Sequence, residues 1–321
     1  MGQTLGEPIT TKESAYCQND SYRVGSSCMQ GWRVNMEDSH THILSLPDDP
    51  EAAFFGCFDG HGGASVAQYA GKNLHKFILK QPEYPDNIEE ALKKGYLAID
   101  EAMLQEESLK DVMAGSTAVS VLIKDNQLYC ANAGDSRAIA SINGKLEVLS
   151  HDHKPNNEEE SRRICEGGGW VEFNRVNGNL ALSRALGDFT FKRNADKTPQ
   201  EQIVTAYPDV ERREITEDWE FLVLACDGIW DVMSNEEVLT FVQSQIQLGN
   251  YPEEICENLM TKCLAPDCQM GGLGGDNMTV ILVCFLHNKP YENLIKKIEA
   301  REAEVPPAVI ENNDEPEPDL C

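Results

Sequence analysis

The sequence predicts an α+β domain in which helices lie outside packed, mostly antiparallel β-sheets, and three observations point there. Short apolar segments come in neighbouring pairs joined by turn residues, the pattern of hairpins. Longer amphipathic stretches with helical periodicity fall in pairs away from those strand clusters. A composition of 41% hydrophobic and 25% charged residues over 321 positions is that of a chain with a sizeable buried core. The length admits one large domain or two modest ones, and no repeat of solenoid length is present.

Taken in order, strands are expected at 22–29, 40–46 and 52–58, followed by helices over 64–79 and 88–107. Residues 119–123 and 127–133 flank Lys124-Asp125-Asn126 as one hairpin; 137–142 and 145–149 flank Asn143-Gly144, the pair that suits a tight two-residue turn, as another. A helix over 156–166 precedes a weakly periodic stretch, 167–202, whose length inside a compact domain marks a functional or mobile segment. A strand at 219–226 leads to helices over 235–248 and 252–264, which begin with the cap and early acids of Ser234-Asn235-Glu236-Glu237 and Asn250-Tyr251-Pro252-Glu253-Glu254. A last strand, 278–286, is followed by an amphipathic piece over 291–300 and an acidic, Pro-containing end expected to be disordered.

Charge excludes several functions. With 54 acidic against 27 basic residues the chain carries a formal −27, and it has no Lys/Arg cluster of the kind that holds nucleic-acid phosphates or an anionic membrane. The last twenty residues hold seven carboxylates and no base, so most of the acid lies elsewhere. Any phosphate-bearing substrate needs a local source of positive charge. Eleven cysteines without a Cys-x-x-Cys pair, several in apolar runs, read as reduced thiols of a cytoplasmic or nuclear protein. No apolar run is long enough to span a bilayer, and no signal segment is present. Gly2 follows Met1 as N-myristoylation requires, but Gly6 stands where Ser or Thr is preferred, so an ordinary start context is the favoured reading and acylation with peripheral membrane contact the alternative.

Most carboxylates fall on polar helix faces. A smaller set abuts glycine at the edge of an apolar strand: Asp59 in Phe58-Asp59-Gly60-His61-Gly62-Gly63, Asp135 in Gly134-Asp135-Ser136-Arg137, Asp227 in Cys226-Asp227-Gly228, and Asp276 in Gly275-Asp276-Asn277. Any one of these alone is a turn. Asp59 and Asp227 follow strands whereas Asp276 precedes one, so converging strand ends would gather like charges that only a cation makes tolerable. An all-oxygen set favours Mg²⁺ or Mn²⁺; the chain lacks the Cys/His spacing of a zinc site and the loop of an EF-hand.

Together with Arg33 before Glu37-Asp38, Gly115-Ser116-Thr117-Ala118, Ser183-Arg184-Ala185-Leu186-Gly187-Asp188 and Asp227-Gly228-Ile229-Trp230-Asp231, these segments follow an order that resembles the metal-dependent protein phosphatase family, the type 2C serine/threonine phosphatases. The resemblance spans about 21–288. It implies two packed antiparallel sheets flanked by helices in a four-layer α-β-β-α sandwich. It divides the chain into an N-terminal arm (1–20, with Gly2 the acylation candidate), a catalytic domain (21–290), and a short helix with acidic tail (291–321). By the same resemblance Asp59 bridges two Mg²⁺ or Mn²⁺ ions, Asp227 and Asp276 complete one ion's shell, and the Gly60 carbonyl serves the other. Glu37 and Asp38 act through metal-bound waters, and Asp135 is a candidate ligand for a further, weaker ion.

The implied reaction is direct attack on a phosphoserine or phosphothreonine monoester by hydroxide shared between the two ions, with phosphorylated proteins as partners and the enzyme a monomer. Arg33 matches the phosphate-binding Arg, although an ion pair with Glu37 is also open to it. His61 matches the general acid, its alternative being a buried structural histidine. Arg184 either helps hold the phosphopeptide or anchors the loop before it. That loop, from Gly167 toward Lys192, corresponds to a variable flap where substrate preference is expected. Among rivals, Cys17 and Arg23 have the spacing of a cysteine phosphatase, but nothing between them is glycine. A non-catalytic docking module on the same fold is the alternative from another class, and retention of every expected metal Asp argues against it.

Overall fold

A computed structural model describes residues 4–109, 112–267 and 272–304; Gly2 and the acidic tail lie outside the described residues. The longer strands are β1 (Thr4–Gln18), β2 (Tyr22–Arg33), β3 (Ser39–Ile43), β4 (Ala53–Phe58), β5 (Ala118–Lys124), β6 (Gln127–Ala133), β7 (Arg137–Ile142), β8 (Lys145–Val148), β9 (Asp209–Glu214), β10 (Trp219–Ala225) and β11 (Met278–Phe285). The longer helices are α1 (Ser65–Leu79), α2 (Ile88–Gln105), α3 (Glu158–Glu166), α4 (Asn235–Gln247), α5 (Pro252–Cys263) and α6 (Tyr291–Glu304). One sheet runs β1-β2-β11-β10-β7-β8 and the other β9-β6-β5-β4-β3, with antiparallel pairing throughout both. The fold is the expected α+β sandwich of four layers.

Side-chain alternation builds those layers. In β4, Phe54 and Phe58 face α1 and α2, whereas Ala53, Phe55 and Cys57 face the opposite sheet. In β11, Val280, Leu282 and Cys284 pack toward α4, α5 and α6, whereas Ile281, Val283 and Phe285 meet the other sheet. Both strands are buried on both faces, so they read as continuous apolar runs. Asn143 (φ 48°) and Gly144 (φ 76°) make the predicted turn with both central residues left-handed. Ser234 caps α4 reciprocally with Glu237.

Two segments differ from expectation. Residues 4–18, expected as an arm ahead of the domain, form β1, which pairs with β2 from Gln18↔Arg23 to Thr4↔Arg33 through two irregularities. Residues 209–214, where no element is expected from the sequence, form β9. Each is the outer strand of its sheet, so its residues are largely exposed on both faces and carry no clean alternation. No described helix is long and apolar enough to cross a membrane.

Phe55 is fully buried at the centre of the inter-sheet core, with Tyr22 edge-on at 6.4 Å. Phe55→Ala is expected to lower unfolding stability by about 3–5 kcal/mol, read as a shift in urea midpoint; a loss under about 1 kcal/mol would mean that the two sheets are not held by this layer.

Candidate metal and phosphate site

Antiparallel pairing explains why distant acids meet. The C-terminal end of one strand lies beside the N-terminal end of its neighbour, so Ala225 of β10 pairs with Val280 of β11, and Cys57 of β4 pairs with Val119 of β5. The next residues outward include Asp227, Asp276 and Asp59, and all three reach one end of the sandwich. There a cavity of about 590 Å³ is lined by Arg33, Glu37, Asp59, Gly60, His61, Asp135, Asp227, Asp276 and Asn277 on the sheet side, and by Arg175 and residues 179–182 on the other. Glycine makes the junctions possible: a Cβ on Gly60 would lie 2.3 Å from the Glu37 carbonyl oxygen, and one on Gly228 would lie 2.1 Å from that of Asn277. Asn277 ties the loops together. Its side-chain oxygen accepts from the Glu37 N–H (2.9 Å), and its amide donates to the carbonyls of Gln30 (2.8 Å) and Asn35 (3.0 Å).

The electrostatics are those of a site built around positive charge. Burial, and then the charges of Asp227, Asp38, Asp135 and Asp276, push the Asp59 carboxyl well above its ordinary range. Burial, Asp135 and Asp276 do the same to Asp227. Burial raises Asp276 as well, opposed by Arg33. A carboxylate oxygen of Asp38 and one of Asp59 lie within 4.8 Å of each other, a separation at which two full charges repel by on the order of 3 kcal/mol at an effective dielectric near 20. Asp38 Oδ2 accepts from the Thr279 hydroxyl (2.7 Å), but Oδ1 is buried without a partner among the described residues. Such an orphaned acceptor among crowded carboxylates fits a hard, oxygen-seeking cation. Cys226 Sγ completes the same cluster, but burial and the neighbouring carboxylates hold it as a neutral thiol. Its sulfur accepts from the Thr279 N–H (3.2 Å) and its S–H points to the Asn277 carbonyl (3.4 Å), so its bonding is satisfied without an ion.

Arg33 ion-pairs with Asp276 rather than with Glu37 four residues away. Its side chain stays partly exposed at the cavity wall. His61 Nε2 lies 2.6 Å from Asp188 Oδ2. Burial alone would lower the pKa of His61, but Asp188 first, and Asp135 and Glu37 after it, raise it. In the sequence Asp188 is only the end of a motif, and nothing near it in the chain points to the imidazole. Its backbone is left-handed (φ 50°) and held by the Ala114 carbonyl at 2.9 Å, which aims the carboxylate at the imidazole. Asp135 lines the same cavity, ion-paired to Lys154.

Of the two readings open to Arg184, its contacts are those of the loop anchor. It is not in the cavity wall; 9% exposed, it bonds Glu160 Oε1 through Nε (3.0 Å) and Nη2 (2.7 Å), and Asp209 through Nη1 (2.7 Å). With its fork on two carboxylates and Nη1 also donating to the Tyr207 carbonyl (3.2 Å), it anchors the flap away from the cavity. Burial would raise the Glu160 carboxyl, but Arg184, Arg163 and Ser183 hold it down to about 2.

Residues 22–270 match the sequence profile of the family described as Protein phosphatase 2C. The chain is 61% identical over 298 residues to a probable protein phosphatase 2C of Caenorhabditis elegans, covering 92% of this chain and 84% of that one. It is 48% identical over 299 residues to protein phosphatase 2C homolog 2 of Schizosaccharomyces pombe, covering 91% and 81%. Among solved structures, a phosphatase from Toxoplasma gondii superposes with a TM-score of 0.74 at 28% identity, covering 87% of this chain and 96% of that one.

Removing one charge from the cluster has opposite consequences without and with metal. In excess EDTA, Asp227→Asn is expected to melt about 2–4 °C above the unsubstituted protein, and the rise in melting temperature on adding Mn²⁺ is expected to shrink sharply. A variant that melts lower in EDTA, or that keeps the full Mn²⁺ response, would show that these carboxylates neither repel one another nor hold a cation.

Proposed function

Because the chain belongs to the protein phosphatase 2C family, we propose that it hydrolyses phosphoserine and phosphothreonine in proteins by direct transfer of the phosphoryl group to water, with two Mg²⁺ or Mn²⁺ ions in the acidic cavity. That it is a phosphatase acting on phosphoproteins follows from the family. The observation that carries the finer reading is the convergence of Asp59, Asp227 and Asp276 on a cavity that also holds Arg33 and His61, with Asp38 buried beside Asp59.

Asp59, Asp227, Asp276 and the Gly60 carbonyl would hold the ions, with Glu37 and Asp38 behind them and Asp135 open to a further, weaker one. When bound, such ions neutralise the carboxylates, polarise phosphoryl oxygens and bring the pKa of water toward neutrality. The chain's own groups do the rest. Arg33, kept at the wall by Asp276, offers its remaining guanidinium donors to phosphate oxygens. His61, whose pKa Asp188 raises, gives its proton to the departing serine or threonine oxygen. The imidazolium is regenerated from solvent through the open cavity.

The central experiment is hydrolysis of p-nitrophenyl phosphate and of a phosphothreonine peptide with Mn²⁺ or Mg²⁺, then with excess EDTA. Turnover with either metal and none in EDTA is expected; turnover surviving EDTA overturns the metal reading, and none under any condition makes the chain a docking module. His61→Ala is expected to lose about a hundredfold in kcat on the peptide and much less on p-nitrophenyl phosphate, whose leaving group needs no proton.

The pH profile tests the dyad. Since Asp188 raises the pKa of His61, the protonated form and the turnover that depends on it persist to higher pH and fall as pH rises through that value. Asp188→Asn lowers it, so the alkaline fall in kcat on the peptide is expected at lower pH; an unmoved profile would mean that Asp188 serves only the backbone.

A further inference from the structure

We infer that the outward face of α1, where Lys72, Lys76 and Lys80 stand in a row, is a docking site for an acidic segment of a phosphoprotein substrate, engaged at a distance from the residue that is dephosphorylated. The inference rests on the phosphatase reading above and deepens it.

Acid is spread unevenly along this chain. Asp and Glu make up 54 of its 321 residues, yet none falls between Gly60 and Pro82. The other longer helices, α2 to α6, each carry acids in the first turn, whereas α1 carries none. Lys72 and Lys76 lie on α1 and Lys80 is its C-terminal cap. A spacing of four places them on one helix face, about 6 Å apart along the axis, and all three are exposed.

Their charge is unspent. None has an ion-pair partner among the described residues: Lys76 donates to the Asn73 side-chain oxygen at 3.2 Å, and Lys80 lies 5.9 Å from the centre of the Phe77 ring. On the neighbouring α2, by contrast, Lys93 is paired with Glu89, and Lys94 with Glu83 and Glu90. Asp48 acts on His75 and Glu106 on Tyr69, both of α1, but neither acid pairs with a lysine of the row.

The helix also aims the row. His61 and Gly62 line the cavity, and α1 begins shortly after them at Ser65. The Thr41 hydroxyl donates to the Gly71 carbonyl at 2.6 Å, at the level of Gly56 in β4, and one turn later the His75 ring meets that of Phe54 at 5.7 Å. So α1 leads away from the Asp59 end of β4, and the row occupies the stretch about 10–22 Å from its first residue. An extended peptide advances about 3.3 Å per residue, so an acidic segment starting about five residues from the phosphorylated one reaches the row. Its alternate side chains, about 6.6 Å apart on one face, match the spacing of the lysines. A short segment meets the row alone. A membrane or a nucleic acid presents its charge over a wide area, which the rest of a protein of formal charge −27 repels.

The test reads binding and turnover separately, at low salt with Mn²⁺. An unphosphorylated fluorescent peptide with glutamate at alternate positions is expected to bind about tenfold more tightly than the same peptide with glutamine, an advantage that fades at high salt. The triple substitution Lys72→Glu, Lys76→Glu, Lys80→Glu is expected to abolish the preference, and replacement of all three by arginine to keep it. Phosphothreonine peptides extended by the same two runs are expected to differ about tenfold in KM at equal kcat, in the unsubstituted protein and not in the triple glutamate variant, while p-nitrophenyl phosphate turnover is the same in both. Equal affinity for the two runs, or a preference that survives the triple glutamate variant, overturns the docking site and leaves the phosphatase reading intact. A binding preference without a difference in KM overturns the substrate role. Without turnover on p-nitrophenyl phosphate the phosphatase reading itself fails, and the row is then no substrate site whatever the peptides do. Sedimentation with phosphatidylserine vesicles that the triple glutamate variant loses, with no peptide preference, gives the row to a membrane. A preference that emerges only when Glu311, Asp314, Glu315, Glu317 and Asp319 are changed to their amides gives it to the chain's own acidic end, and either result overturns the proposal.

Discussion

Crowding of like charge at one end of the sandwich is the constraint to which the rest of the structure answers. Asp59 and Asp38 come from one side of the cluster, Asp227 and Asp276 from another, and burial together with mutual repulsion raises the pKa of each. No collection of turns would hold these groups in place against a repulsion comparable with a domain's whole margin of stability. The two sheets do: wholly buried strands such as β4 and β11 anchor the loops that carry the acids, and glycines at 60 and 228 let backbone meet backbone where a side chain would not fit. On the function proposed above, the acidity that makes the chain a poor partner for polyanions would locally be the means of holding cations, and through them a single phosphoryl group.

The flap depends on a second set of charges, arranged in the opposite manner. Glu160, 3% exposed, is bonded by Arg163, Arg184 and Ser183. His153 accepts the Gly134 N–H at Nδ1 and so donates from Nε2 to Asp209. Lys192, paired with Asp100 of α2, fixes the far end. Here every buried charge has its complement, so the network positions rather than reacts; breaking one member would leave the other buried and unpaired, which costs more than the pair itself contributes. The contrast separates a structural cluster from a working one: the first is satisfied, while the second leaves an acceptor such as Asp38 Oδ1 unfilled.

How far the sequence could be followed depends on where each residue sits in the layers. Strands buried on both faces, and helices with one apolar face, announce themselves by period, and their observed bounds fall within a few residues of those expected. β1 and β9 escaped because a sheet's outer strand is wet on both sides and rich in charge: Asp209–Glu214 reads as a polar connection until its pairing with Gln127–Asn132 is seen. The candidate site was legible to the same extent, since an aspartate next to glycine at the end of an apolar strand is a local feature, and four of them in order form a pattern.

The sequence by itself therefore determined the layers, the strand-end aspartates and, through the order of the motifs, the family. Tertiary structure alone decided which partner each charged group found. Asp188 reaches His61 across 127 positions of sequence, Arg33 turns to Asp276 instead of Glu37, Arg184 withdraws into the flap's foundation, and Arg175 stays at the cavity with its guanidinium on the Asn179 carbonyl. Periodicity is a property of neighbouring residues and survives in one dimension. The pairing of charges is settled by distance and burial, which exist only once the chain has folded.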